Sequence, residues 1–416
     1  MSRPELLAPA GDVEKLRTAL AYGADAVYAG GERFSLRAMA GNLTTADLRQ
    51  GLELVRAAGK RFYLTLNAYL RPDEIPLLEN YLEELRPLAI DAYIVADPGV
   101  VATIRRVDPG RALHLSTQAN TTNAAAVNFW AGQGVRRVNL ARELNLAELG
   151  ALRTGTASEL EVFVHGAVCV AVSGRCLLSA ALTGRSANRG ACTHPCRWPY
   201  ALIEESRPGA FFPIAEDKRG SYLMNSRDLC LVEHLPAILG AGVDSLKIEG
   251  RMKSVYYVAA VTRVYRAALD AWLVDPAGWH CDPLWRSELE KVSHRPYDHG
   301  FLLGGAPPQT EAAQGGYRRS HDFVGVVTAV RDDGRGEVVA RNPFISGEAL
   351  ELIGPAMRSA SFKVGAIVAS DARLLDRVNP NAHVSLSLPP GARAGDLLRR
   401  EGRLGTGTAG GASGGS

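Results

Sequence analysis

Over its first 150 residues the chain alternates short apolar runs with amphipathic stretches. The runs are Glu5–Pro9, Ala24–Gly30, Arg61–Asn67, Asp91–Asp97, Ala112–Gln118, Arg136–Arg142 and Glu159–His165, and Asp244–Glu249 follows later. Between or after them lie helical patterns at Ala46–Ala58, Ile75–Leu85, Ala124–Gly132, Asp228–Leu239 and Lys253–Leu273. Eight strand-like runs alternating with helices predict parallel βαβ units. The phrases GADAVYAGG, AIDAYIVADPG, GVRRVNLARE and GVDSLKIEG echo one another. That echo favours a (β/α)8 barrel over a doubly wound sheet. The first turn reads APAGD, without GxGxxG, and no P-loop motif occurs.

From residue 320 the pattern changes to short β-runs: Phe323–Val330, Gly336–Ala340, Glu348–Ile353 and Ala382–Leu388. The expected fold is therefore α/β: a TIM-like (β/α)8 barrel with a cysteine-rich insertion after strand seven, then a small C-terminal β-barrel domain. The expected boundaries are 1–275 for the barrel with its insertion at 168–223, 276–319 for a connector and 320–402 for the β-domain. The Gly- and Ser-rich tail, 403–416, reads as disordered.

Composition narrows the classes. Forty-six percent of the 416 residues are hydrophobic and 22% charged, which suits a folded globular chain. No apolar run reaches the roughly 18 residues of a membrane span, and the N-terminus lacks a secretory apolar core. A cytoplasmic chain without a membrane partner is expected. Lys plus Arg number 47 and Asp plus Glu 44, a net +3, so a nucleic-acid partner would have to be met by local clustering.

Such clustering occurs. The 42 residues Val162–Ile203 contain no carboxylate, but hold Arg175, Arg185, Arg189 and Arg197 with Cys169, Cys176, Cys192 and Cys196. Four of the chain's six cysteines thus sit at the predicted mouth of the barrel, where active sites of this fold lie. The spacing Cys169-x6-Cys176-x15-Cys192-x3-Cys196 matches zinc ligation only at its last pair. An iron–sulfur cluster tolerates variable spacing. Zinc, and thiols that are buried or redox-active, remain open on spacing alone.

Asn67, Asp97, Gln118, Arg142, Glu143, His165 and Glu249 fall at or just past predicted strand ends. Asp97, before Pro98 and Gly99, reads as a helix cap. Lys247 and Glu249, two residues apart, project to one side of their strand and could pair beneath a substrate. Arg251 and Lys253 add positive charge at the same rim.

These segments resemble a known family. EVFVHGAVCVAVSGRCLLSAALTGRSANRGACTHPCRWPY, MNSRDLCLVEHL, SLKIEGRMKSVYYVA and the N-terminal LLAPAGDVEKLRTALAYGADAVYAGGERFSLRA are similar to peptidase family U32, the collagenase-like proteases. The resemblance covers about residues 4–320. It implies oxygen-independent hydroxylation with prephenate as oxygen source, most closely at carbon 5 of the wobble uridine of tRNA. It also implies a [4Fe–4S] cluster on Cys169, Cys176, Cys192 and Cys230, with Cys196 as an alternative ligand. Family members can work in pairs, so a paralogous partner is a further implication.

The roles expected under this reading are proton transfer or catalysis by His165, Glu143, Lys247 and Glu249. Substrate binding is expected of Arg142, Arg175, Arg197, Asn188, Asn225 and Gln118. Hydroxylation of ribosomal RNA or a quinone precursor is an alternative, as is a cluster-bearing accessory protein. A peptidase is the other alternative, but neither HExxH nor GxSxG occurs. Cys169 with His165 would be its conceivable nucleophile pair, although a thiolate bound to iron cannot attack a peptide.

Overall fold

A computed structural model of the chain describes residues 3–36, 41–169, 171–195, 227–304 and 317–402, and the backbone of four short strands between 202 and 222. Its described residues up to 318, apart from 290–292, form one compact unit, joined by 355–357. Most of the described residues from 319 to 402 form a second.

The first unit is a closed parallel barrel. Its strands are β1 (Glu5–Pro9), β2 (Ala26–Gly30), β3 (Arg61–Leu66), β4 (Ala92–Val95), β5 (Ala112–Leu115), β6 (Val135–Asn139), β7 (Glu159–Ala167) and β8 (Ser245–Ile248). Each pairs with its neighbour in sequence, and β8 closes the ring by pairing with both β7 and β1. Helices α1 (Val13–Ala21), α2 (Thr45–Ala57), α3 (Ile75–Leu85), α4 (Pro98–Val107), α5 (Ala124–Gly132) and α6 (Leu146–Thr154) follow the first six strands. Most start at a side-chain cap. Asp12, Thr44, Asn123 and Asn145 each accept a backbone N–H of the first turn, and Asp97 caps α4 through Gly99 N–H as expected.

After β7 the chain makes its excursion, which contains the short α7 (Leu178–Thr183). It returns through a short strand, Asp228–Cys230, antiparallel to the end of β7. This corrects the helix expected over Asp228–Leu239. Pro236 cannot donate the backbone bond that a helix through this point needs. The helix therefore starts late, as α8 (Leu235–Gly240), with Pro236 in its first turn. The residues before it pair with β7, which runs past the end of β8.

After β8, α9 (Val255–Val274) starts at the cap Ser254 and is buried on every residue from Val255 to Tyr265. The stretch read as a connector contains α10 (Pro283–Glu290) and a strand, Tyr297–Asp298, that extends the sheet beside Asp228–Cys230.

The second unit is the expected small β-domain. An antiparallel sheet of eight strands runs in open order from Ser359–Lys363 to Leu374–Leu375, with His321–Val330 and Arg335–Ala340 at its centre. Val324, Val327, Val338, Phe344, Leu352, Ile367 and Leu398 fill its core. The predicted disordered tail, 403–416, lies outside the described residues.

Candidate active site at the carboxyl end of the barrel

A cavity of about 460 Å³ opens at the carboxyl ends of the strands. That volume falls within the range of small-molecule pockets. The strand ends and the loops after them supply Asn67, Gln118, Asn139, Arg142, Glu143, Glu249 and Arg251. Tyr28, Phe163 and Lys247 reach it from within β2, β7 and β8. The insertion supplies Cys169, Ser173, Arg175, Cys176, Cys192 and His194.

Strand alternation builds what lies below. Glu5, Arg137, Glu161 and Ser245 occupy inward positions on adjacent strands, and each is at most 3% exposed. Arg137 pairs with Glu159 at 2.7 Å, with Glu161 at 3.4 Å and with Glu5. Tyr63 Oη donates to Glu5 at 2.7 Å. Lys247 Nζ stands 2.8 Å from Glu161 and 4.5 Å from the Tyr28 ring centre. The expected Lys247–Glu249 pair is therefore replaced by a cross-strand pair. Glu161 comes from the neighbouring strand, and Glu249 stands 3.4 Å from Tyr28 Oη, which donates to Ile248 O at 2.9 Å.

His165 does not reach the cavity. Along β7, Phe163 stands beside Lys247 but His165, not Val164, stands beside Ile248. This shift of one residue turns the imidazole away from the lumen. There it is 1% exposed, ringed by Tyr257, Tyr265 and Tyr297, with a tyrosine hydroxyl 3.4 Å from each ring nitrogen. Burial pushes its pKa down to about 3. The Cys169–His165 pair of the peptidase reading is thus not assembled. Ser173 is also committed: its hydroxyl donates to Asn120 at 2.9 Å and its backbone N–H to Glu143 at 2.8 Å.

Burial likewise holds His114 well below the usual imidazole range, with the Arg137 and Lys247 charges acting in the same direction. Two imidazoles that stay neutral when folded make the protein acid-sensitive. Unfolding frees them to take up protons below their ordinary pKa of about 6.5. Their stabilisation is complete above that value and falls as pH drops toward 3. Between pH 7 and pH 5 the loss from His165 should be about 2 kcal/mol, and His114 adds to it in the same direction. Denaturant midpoints at the two pH values would show it, and equal midpoints would contradict it.

The other expected residues divide. Glu143 and Gln118 line the cavity. Arg142 lines it too, with its guanidinium 4.1 Å over Phe163 and one N–H on Ala167 O. Arg175 donates to Tyr69 Oη at 3.0 Å. Asn188 is not on the wall; its carboxamide oxygen accepts Cys176 N–H at 3.3 Å. Arg189, bidentate on Glu74, ties the same segment to the loop after β3. Arg197, Asn225 and Cys196 lie outside the described residues.

Sequence reasoning missed the charged layer Glu5–Arg137–Glu161 and the wall residue Asn139. The available signal was charge at alternate positions of otherwise apolar strands. Arg251 was noted only as rim charge. It is 4% exposed, with its guanidinium 2.9 Å from Ser35 Oγ and 3.1 Å from Thr65 Oγ1.

The thiols of Cys169, Cys176 and Cys192 share the cavity wall, and none is in a disulfide. Cys230 is off the wall and 5% exposed, and burial pushes its thiol up to about 12. Among the described residues no three Cys, His, Asp or Glu side chains are drawn together as a metal site. As a donor set, three free thiols beside arginines suit a negatively charged iron–sulfur cluster.

The model of peptidase family U32 matches residues 11–312, and that of its C-terminal domain matches 319–399. The tRNA hydroxylation protein P1 of Bacillus subtilis is 39% identical over 377 residues, 90% of this chain and 89% of that protein. The tRNA hydroxylation protein P of Escherichia coli is 38% identical over 400 residues, 85% and 87% of the two chains. The 23S rRNA 5-hydroxycytidine C2501 synthase of Escherichia coli is 36% identical over 310 residues, 74% of this chain and 43% of that one.

Proposed function

Since this chain belongs to peptidase family U32, we propose that it is a tRNA-modifying enzyme that hydroxylates carbon 5 of the wobble uridine without molecular oxygen. The observation that carries this reading is its similarity, over most of both chains, to proteins named for tRNA hydroxylation. The partner is then tRNA. No described helix is long and apolar enough to cross a membrane.

The reaction replaces the C5–H bond by C5–OH, a two-electron oxidation of the base, and the donor of the oxygen is reduced by two electrons. Prephenate, a dicarboxylate, is the proposed donor. The cavity wall carries Arg142, Arg175 and Arg251 against Glu143 and Glu249, while Lys247 is already paired with Glu161 beneath it. The positive balance favours an anion, and arginine can hold a carboxylate through two hydrogen bonds. Glu143 and Glu249 are the wall's bases for taking up the C5 proton.

The proposed [4Fe–4S] cluster would be held by Cys169, Cys176 and Cys192, with Cys230 or Cys196 as fourth ligand, and would supply one-electron transfer. A ligating thiol must ionise, so at Cys230 the iron would have to displace a tightly held proton.

The test is complementation. A bacterial host deleted for its own tRNA hydroxylation proteins is grown without oxygen, so that no oxygen-dependent hydroxylase contributes, and the full chain is expressed in it. Mass spectrometry of tRNA nucleosides should show 5-hydroxyuridine or its oxyacetyl and methoxy derivatives restored. A profile identical to the deleted host would overturn the proposal and favour ribosomal RNA, a quinone precursor or proteolysis.

A further inference from the structure

A chain of amides on the cavity wall has a fixed direction. The backbone N–H of Leu36 donates to Asn67 Oδ1 at 3.1 Å. A backbone N–H can only donate, so this contact identifies the Asn67 oxygen. Asn67 Nδ2 then donates to Gln118 Oε1 at 3.0 Å, and Ser116 Oγ approaches the same oxygen at 3.3 Å. Gln118 is 7% exposed and its oxygen is occupied. Its NH2 group has no partner among the described residues and serves the cavity as a committed donor. On the same wall, Asn139 is 2% exposed and its Oδ1 has no hydrogen-bond partner among the described residues. A buried polar atom left unpaired by protein calls for a partner, a water molecule or a ligand group.

We propose that this wall reads the edge of a nucleobase turned out of its strand, and that Gln118 selects a carbonyl over an amino group at carbon 4. This rests on the tRNA-uridine reading above. Uracil offers a carbonyl at C4 beside N3–H, which matches the Gln118 donor and the Asn139 acceptor. Cytosine offers an amino group at C4, which would set donor against donor. Asn139 makes no contact that fixes its orientation, so the discrimination falls to Gln118. Bases in single-stranded loops can be splayed into such pockets and read on this edge. Tyr28 and Phe163 line the same cavity, with Lys247 and Arg142 placed over their rings.

The test uses the purified full chain and two anticodon stem–loop RNAs that differ only in uridine or cytidine at the wobble position. The wild-type chain should bind the uridine RNA about tenfold or more tightly, since a buried donor facing a donor costs at least that factor. Gln118→Glu, which presents an acceptor, should erase or invert the ratio. Gln118→Met, which keeps the length and removes the donor, should bring it close to one. Thermal melting shows that each variant folds, and a purely structural role would weaken both RNAs equally. Equal affinity of the wild-type chain for the two RNAs overturns the proposal, as does a wild-type ratio retained by both folded variants. Either result with complementation intact removes the role of Gln118 and leaves the enzyme's function standing. Failed complementation removes the function itself.

Discussion

Replacing Arg137 by methionine is expected to destabilise the folded chain by about 3–5 kcal/mol, the range for breaking a buried ionic cluster from one side. The arginine is 3% exposed and contacts Glu5, Glu159 and Glu161. Methionine fills much of its volume but leaves Glu5 and Glu161 buried with less charge to balance them. Arg61 stays on Glu5 and Lys247 stays on Glu161, so the loss should be large without abolishing the fold. The urea midpoint of the full chain measures it. Adding Glu5→Gln should recover part of the loss, because it removes a buried carboxylate whose remaining partner, Arg61, is half-exposed and needs no replacement. A single-variant loss under about 1 kcal/mol, the level of exposed pairs, would show that the layer is solvated.

The second large effect is all-or-none. Cys176→Ala should remove both the visible absorption of anaerobically purified protein and the restoration of hydroxylated tRNA. Cys176 stands on the cavity wall, with its backbone N–H on Asn188, and its side chain is half-buried. The change deletes one thiol and little packing, so melting should stay close to the parent. Cys281→Ala is the control. Its thiol lies outside the cavity and is held protonated by burial, at about 11, so both signals should persist. Full hydroxylation in the Cys176 variant would exclude a cluster ligated there.

The barrel was legible because its strands are short, apolar and bounded by glycine or charge. Glu5–Pro9 was read to the residue, and Ile75–Leu85 and Ala124–Gly132 match as helices. Cross-strand events were not legible. Alternation within β8 puts Lys247 on the inner face but cannot show that its partner is Glu161 on β7. Alternation along β7 would put His165 inside, but the one-residue shift against β8 puts it outside. The pattern at Asp228–Leu239 looked helical because helix and strand differ little over a short apolar run. The free end of β7 decided the matter. The cysteine-rich segment was legible as chemistry, since thiols and arginines without carboxylates are rare in a chain of this composition. How its parts converge was not.

The pairing of Asp228 with Ala167 and of Cys230 with His165 also bears on how this protein can diversify. The chain leaves and re-enters the barrel at adjacent positions, so the two ends of the excursion are clasped whatever lies between them. The entropy of closing such a loop grows only slowly, by about 0.6 kcal/mol for each doubling of its length. The length of the segment that carries most of the thiols and much of the cavity's roof can therefore change at small entropic cost to the scaffold, so long as the ties of Ser173 to Glu143 and of Arg189 to Glu74 are kept.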